Sequence, residues 1–183
     1  MRYNLVDDEL YQIRGGRNVS REQTCCFTGH RPEKLTCDER EARAWLRGQV
    51  ERAVGEGKRR FITGMARGVD LWGALAVIEL QVQHPQLLLT CALPYPGFER
   101  NWAREWREIY WQVLNAAAEI HAVRPAFCYS AYRERNEWMV DHSSVVIGVC
   151  GGARGGTRNT LLYARNMGLE LRLMEDEGQC ICP

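Results

Sequence analysis

The residues Cys150-Gly151-Gly152-Ala153-Arg154-Gly155-Gly156-Thr157 follow the apolar run Val145-Val146-Ile147-Gly148-Val149 and precede the helical pattern Leu161-Leu162-Tyr163-Ala164. A buried strand that breaks into glycines and then becomes a helix is suited to holding phosphate. Gly151, Gly152, Gly155 and Gly156 let bare backbone approach an anion, and the free N–H groups of the helix start face its oxygens, so that the backbone of the segment, Arg154 and Thr157 included, is the candidate phosphate site. This points to nucleotide chemistry. Similar breaks occur at Thr28-Gly29-His30-Arg31-Pro32 and at Thr63-Gly64-Met65-Ala66-Arg67-Gly68-Val69-Asp70. In the first, the imidazole of His30 and the guanidinium of Arg31 are placed to reach a phosphate or ribose; the alternative is that His30 fixes the turn before Pro32. In the second, Gly64, Ala66, Gly68 and Asp70 form either a phosphate grip or a tight strand-to-helix turn in which Asp70 caps the helix.

Three such turns after three parallel strands converge on one edge of a sheet, where open α/β folds bind their ligands. The elements that must position them alternate along the chain. Strands are predicted over residues 24–28, 60–63, 87–93, 119–123, 145–149 and 169–173. A helix capped by Asp38 places Ala42, Trp45, Leu46, Val50 and Ala53 on one face and ends at Gly55-Glu56-Gly57. The helix predicted over 71–82 is apolar on nearly every side, as for one packed between the sheet and another surface, and a subunit interface is one such surface. Leu87–Leu93 is continuously apolar, which indicates burial on both faces. It stops at Pro94-Tyr95-Pro96-Gly97, where Tyr95 faces a base or ribose or merely stiffens a loop. A long helix then puts Trp102, Trp106, Ile109, Tyr110, Val113, Leu114 and Ala117 on one stripe, which reads as core. Further helices are expected over 132–141 and after Thr157. The alternation predicts a doubly wound, Rossmann-like α/β domain with a mainly parallel sheet over residues 23–176, an N-terminal extension over 1–22 and a C-terminal tail over 177–183.

With 24 Lys and Arg against 23 Asp and Glu, the 183-residue chain has no global field to draw it onto nucleic acid, so an anion site must be local. No apolar run approaches the roughly 20 residues needed to cross a bilayer, and the N-terminus lacks the apolar core of a signal peptide, which gives a cytoplasmic expectation. Of the eight cysteines, Cys25, Cys26, Cys91 and Cys150 fall in predicted strands and read as small apolar residues, while Cys180-Ile181-Cys182 lacks the spacing of a zinc site. No metal or prosthetic group is implied. A Walker lysine and a full Gly-x-Gly-x-x-Gly fingerprint are both missing.

The segments Cys26–Pro32, Thr63–Asp70 and Asn136-Glu137-Trp138-Met139-Val140-Asp141, in this order, resemble the YpsA-like branch of the SLOG superfamily, with similarity over about residues 24–175. The superfamily joins the DNA-processing protein A proteins and the Lonely Guy phosphoribohydrolases. The resemblance implies a Rossmann-like fold that binds nucleotides or nucleotide-derived ligands, and it admits a homodimer. Thr63–Asp70 is similar to the turn by which DNA-processing protein A grips nucleic-acid phosphates. Glu134-Arg135, Met139 and the following strand into Gly151-Gly152 are similar to the Lonely Guy pattern, and Arg135 falls on that family's catalytic arginine. The acidic pair that should follow the Gly-Thr step is replaced by Arg158-Asn159-Thr160. A hydrolase of that kind needs a carboxylate to stabilise the cationic sugar that develops as the N-glycosidic bond breaks. Asp70, Glu99, Glu134 and Asp141 are the candidates to replace the pair, and spacing singles out none of them. Arg100, Asn101, Tyr132 and His142 are further polar candidates. The favoured expectation is binding or sensing of a nucleotide-derived small molecule; an N-glycoside hydrolase using Arg135 and single-stranded DNA binding are the alternatives.

Overall fold

The computed structural model describes residues 19–150 and 155–175. Gly151, Gly152, Arg154, the Cys180 and Cys182 thiols and most of the N-terminal extension lie outside the described residues. Strands and helices alternate as β1 (Thr24–Gly29), α1 (Glu39–Gly55), β2 (Arg60–Thr63), α2 (Val69–Gln81), β3 (Leu88–Leu93), α3 (Arg104–Ala116), β4 (Glu119–Ala122), α4 (Ala131–Asp141), β5 (Val145–Cys150), α5 (Gly156–Asn166) and β6 (Glu170–Glu175). All pairings are parallel, in the order β4-β3-β2-β1-β5-β6. This is the doubly wound Rossmann-like arrangement that the alternation predicts.

The period-two geometry of a strand explains the two cores. Cys25 and Phe27 point to one face with Phe61, Leu89, Cys91 and Ile147, against residues of α1, α2 and α3. Cys26 points to the other with Ile62, Ala92 and Val146, against Met139 and Val140 of α4 and Leu161 and Ala164 of α5. Helix α1 starts where the Asp38 carboxylate accepts from the Arg40 N–H at 2.7 Å, and it buries Ala42, Leu46, Val50 and Ala53. Helix α2 is apolar all round because α1 and α3 cover what the sheet leaves. Its second surface is therefore supplied by the same chain.

Trp102 departs from the sequence reading. The helical spacing places it on the α3 stripe, yet it precedes the helix, which begins at Arg104. Within α3 only Tyr110 and Val113 are buried, and Trp106, Ile109 and Leu114 are half-buried. Among the described residues no helix is long and apolar enough to cross a membrane.

The strand thiols are buried as their sequence context predicts. Burial pushes Cys25 and Cys26 up to about 12 and raises Cys91 as well. Since the thiolate is the reacting species, iodoacetamide at pH 8 is expected to leave these three positions unmodified in the folded protein and to label them once urea unfolds it. Peptide mass spectrometry reads the result, and labelling without unfolding would contradict it.

Candidate functional site

The strand order reverses at β1, which lies between β2 and β5. Such a switch point opens a crevice beyond the carboxyl ends of the strands, and here a cavity of about 370 Å³ occupies it. Its wall comes from five places. Thr28 and Gly29 end β1, and His30, Arg31 and Lys34 follow it; Ala66, Arg67 and Asp70 follow β2; Gly155, Gly156, Thr157 and Thr160 open α5. Helix α4 adds Tyr132, Arg135, Asn136 and Met139, and the β3–α3 loop adds Phe98 and Trp102.

The first turn is held by backbone bonds. The His30 N–H donates to Val149 O at 3.3 Å, which continues the β1–β5 ladder by one residue, and Pro32–Lys34 closes as a single 3-10 turn. His30 is buried, with Nε2 lying 3.7 Å from the Cys150 thiol. Burial and the nearby Lys34 ammonium lower its pKa below the usual imidazole value and so favour the neutral ring. His30 lines the cavity, and its ring lies against the Cys150 end of β5. Arg31 and Lys34 stand exposed on the rim, and Arg67 pairs with Glu33 at 2.8 Å.

Helix α5 opens onto the cavity at Gly156. Its first N–H groups have no partner within the helix, and no acidic residue stands in its first turn. The Thr157 hydroxyl donates to Gly29 O at 2.9 Å and the Thr160 hydroxyl to Gly156 O at 2.9 Å. The first of these bonds fastens the start of α5 to the end of β1. A positive helix end is thereby fixed against the crevice.

The second turn is built differently from the sequence expectation. Gly64 and Gly68 shape it without lining the cavity. Gly68 adopts φ +87°, and a Cβ there would lie 2.8 Å from Pro32 Cδ, so the two turns touch through this glycine. Met65 is buried in the left-handed region at φ 61°, a conformation that non-glycine residues adopt only when their surroundings enforce it. The Thr63 hydroxyl accepts from the Met65 N–H at 3.1 Å and donates to Asp70 O at 2.8 Å. Asp70 does not cap α2. Gly68 occupies the cap position, and Asp70 Oδ2 accepts from the Ala66 N–H at 3.3 Å, bracing the turn.

Arg135 reaches this turn from α4. It donates to the Gly64 carbonyl and lies 3.8 Å from Asp70 Oδ2, while its Nε is buried without a hydrogen-bond partner. Burial pushes the Asp70 carboxyl up to about 6, against the Arg135 charge and the Ala66 N–H, which lower it. Burial lowers the Arg135 pKa in turn, and Asp70 opposes that shift. The cavity floor is therefore a buried ion pair within a mostly polar wall.

Among the described residues, Asp70 is the only carboxylate that lines the cavity. Glu134 is held by Arg124 through both oxygens at 2.6 and 2.8 Å, and Asp141 accepts from the Tyr163 hydroxyl at 2.9 Å. Glu99 is buried away from the cavity. Tyr95 stands behind the wall rather than in it, its hydroxyl 3.3 Å from that of Tyr132. His142 Nδ1 lies 2.7 Å from Trp138 O on the far side of α4. Lys34, Asn136, Thr160, Phe98 and Trp102 were not expected in the site. The signal for Asn136 was present, since Tyr132, Arg135, Asn136 and Met139 repeat at one-face helical spacing.

A family model described as YspA SLOG family matches residues 25–167. The chain is 34% identical over 122 residues to the SPbeta prophage-derived protein YoqJ of Bacillus subtilis (strain 168), covering 60% of this chain and 71% of that one. It is 26% identical over 121 residues to a UPF0398 protein of Bacillus thuringiensis (strain Al Hakam), covering 65% of this chain and 66% of that protein. Among solved structures, DNA processing protein A from Streptococcus pneumoniae superposes with a TM-score of 0.55 at 14% identity, over 84% of this chain and 50% of that one. DNA processing protein A from Helicobacter pylori, described for its single-stranded DNA binding mode, gives a TM-score of 0.58 at 14% identity over 93% of this chain and 70% of that one. These two likenesses speak for the fold alone. With the family match running from β1 through α5, the chain belongs to the YspA SLOG family.

Proposed function

We propose that this cavity binds the phosphate of a nucleotide or nucleotide-derived small molecule, and that the protein is a binding or sensing domain. One observation carries the reading: the start of α5 is fastened by Thr157 to Gly29 at the switch point, with no acid in its first turn and with Arg31 and Lys34 on the same rim. Helix N-termini of this kind favour anions by charge and by hydrogen bonding. The cavity of about 370 Å³ falls in the range of small-molecule sites. Arg31 and the N–H groups at Gly155, Gly156 and Thr157 hold phosphate, and Arg135 with Asp70 forms the polar floor.

Asp70 favours a second reading. A carboxyl pushed up to about 6 in a cavity sits near the pH at which general acid–base catalysis is most effective. Asp70 would supply the negative charge missing after Gly156-Thr157, and the reaction would be N-glycoside hydrolysis. The Helicobacter pylori relative suggests single-stranded DNA, against which stands a formal net charge of +1.

A thermal-shift panel of AMP, ADP, ATP, GMP, NAD, ADP-ribose and a short DNA strand separates these. A ligand at about 100 times its Kd adds roughly 2.7 kcal/mol, which at about 2–4 °C per kcal/mol moves the melt by several degrees. Such a shift is expected with one nucleotide class. Release of ribose 5-phosphate from AMP would instead establish the hydrolase, and a shift with DNA alone the strand binder. No shift across the panel would overturn the phosphate site.

A further inference from the structure

The cavity wall continues outward as a row of aromatic rings. Tyr132, which lines the cavity, has its ring centroid 6.0 Å from Tyr95; Tyr95 stands 5.5 Å from Phe127, and Phe127 5.5 Å from Tyr129. Buried Phe98 lies edge-on to both Tyr95 and Tyr132, at 6.1 and 6.3 Å, and seats the row on the core. The outer rings are open to solvent, with Tyr132 37%, Phe127 58% and Tyr129 95% exposed. Each ring stands edge-on to the next, at 87°, 82° and 68° along the row, so the row offers separate exposed ring faces, and one such face joined to an anion-binding crevice suits a nucleobase.

The distribution of charge limits what that base belongs to. The cations flanking the row on its own side are engaged: Arg124 is held by Glu134 through two bonds, and Arg133 by Glu137 at 2.9 Å. The exposed cations Arg31 and Lys34 stand at the cavity instead. A single strand carries a phosphate beside every base and is bound along a basic track with stacking rings. Here the exposed cations of the cavity meet the row only at its inner ring, Tyr132, and none of them lines the outer rings Phe127 and Tyr129. That pattern matches a ligand with its phosphates together and a base at each end.

We propose that Tyr132, Phe127 and Tyr129 form a second-base subsite, so that the ligand is a dinucleotide, two nucleosides joined through their phosphates. This rests on the phosphate-binding reading of the cavity. The row holds by stacking the base that ADP-ribose lacks, the α5 start and the rim cations hold the phosphates, and the cavity takes the adenosine.

The test is calorimetric titration of the full chain with NAD and with ADP-ribose, which share the diphosphate and differ by one base, for the natural sequence and for the double variant Phe127→Ala/Tyr129→Ala. Both rings are exposed, so the variant keeps its core. Stacking is worth a factor of about 10–100 per base. NAD is expected to bind tighter than ADP-ribose by that factor, and the double variant to erase the difference while ADP-ribose affinity stays within about 2-fold. Equal affinities in the natural protein, or a preference that survives the double variant, would overturn the subsite alone. Tighter binding of a short oligonucleotide than of NAD, weakened by the variant and falling steeply with salt, would replace the dinucleotide by a strand. Absence of binding by NAD, ADP-ribose and AMP alike would overturn the phosphate site itself, and the subsite with it.

Discussion

Replacing Arg135 by methionine is expected to destabilise the fold by about 3–5 kcal/mol, the usual cost of removing one partner from a buried charge pair. Methionine keeps the apolar stem, stops short of the guanidinium and carries no charge. It leaves the Gly64 carbonyl without its donor and Asp70 with the Ala66 N–H alone. The loss depends on pH. The folded-state pKa of Asp70 is already raised to about 6 from the ordinary 3.8, so the folded protein takes up a proton that the unfolded chain lacks. That contribution favours the folded state at low pH and is lost as pH rises through about 6. Without the guanidinium, which lowers the Asp70 pKa, the same loss runs to a higher pH. The deficit of the variant is therefore largest near pH 8 and smallest near pH 5, where a protonated Asp70 needs no counter-charge. Urea unfolding at the two pH values measures it. A pH-independent loss under about 1 kcal/mol would mean that Arg135 does not hold the turn, and would return it to the role of a residue available for ligand chemistry.

The substitution Gly156→Asp is expected to act in the opposite way, removing ligand binding and sparing the fold. Gly156 is not in the left-handed region, and the nearest atom to an added Cβ is Asn136 Nδ2 at 4.0 Å. A carboxylate in the first turn of α5 complements the helix dipole, worth about 0.3–1 kcal/mol in favour of folding. It also places a negative charge where the phosphate would sit. Two like charges about 4 Å apart repel by roughly 4 kcal/mol at an effective dielectric of about 20, so affinity for the nucleotide that shifts the melt should fall by two to three orders of magnitude. Gly156→Ala serves as the control, with affinity kept within about 3-fold because the helix N–H groups remain. Equal binding by the two variants would place the phosphate elsewhere.

The parts of this architecture legible in the sequence are those set by local pattern. Period-two and fully apolar runs located the strands, glycine breaks located the turns at the sheet edge, and Asp38 marked the start of α1. The placement of Gly29, His30, Arg31, Ala66, Asp70, Gly155, Gly156 and Thr157 around one cavity follows from parallel strands ending on the same side. Other features depend on partners distant in the chain. Gly64 looks like a phosphate-turn glycine, yet its side is occupied by Arg135, and a Cβ there would lie 2.6 Å from Asp70 Oδ2. A glycine makes room for a ligand or for a neighbouring side chain, and its sequence context is the same in either case. Trp102 continues the helical spacing of α3, but the backbone before Arg104 is still turning, so the ring joins the cavity wall instead of the stripe. The all-round apolarity of α2 was equally compatible with a partner subunit, and only the packing of α1 and α3 assigns it to this chain.

The pairing of β1 with β5 sets Cys25 against Val145 and Gly29 against Val149. During synthesis β1 leaves the ribosome long before β5 exists, and it waits with one flank of backbone unpaired beside buried-type side chains such as Phe27. Long-range parallel pairing of this kind closes slowly, and an open apolar edge invites association with other chains in the interval. The crevice forms only when the last third of the chain arrives, so a compound bound there leaves that interval unchanged and acts afterwards, by lowering the population in which β5 and α5 have come away and the half-sheet is exposed again.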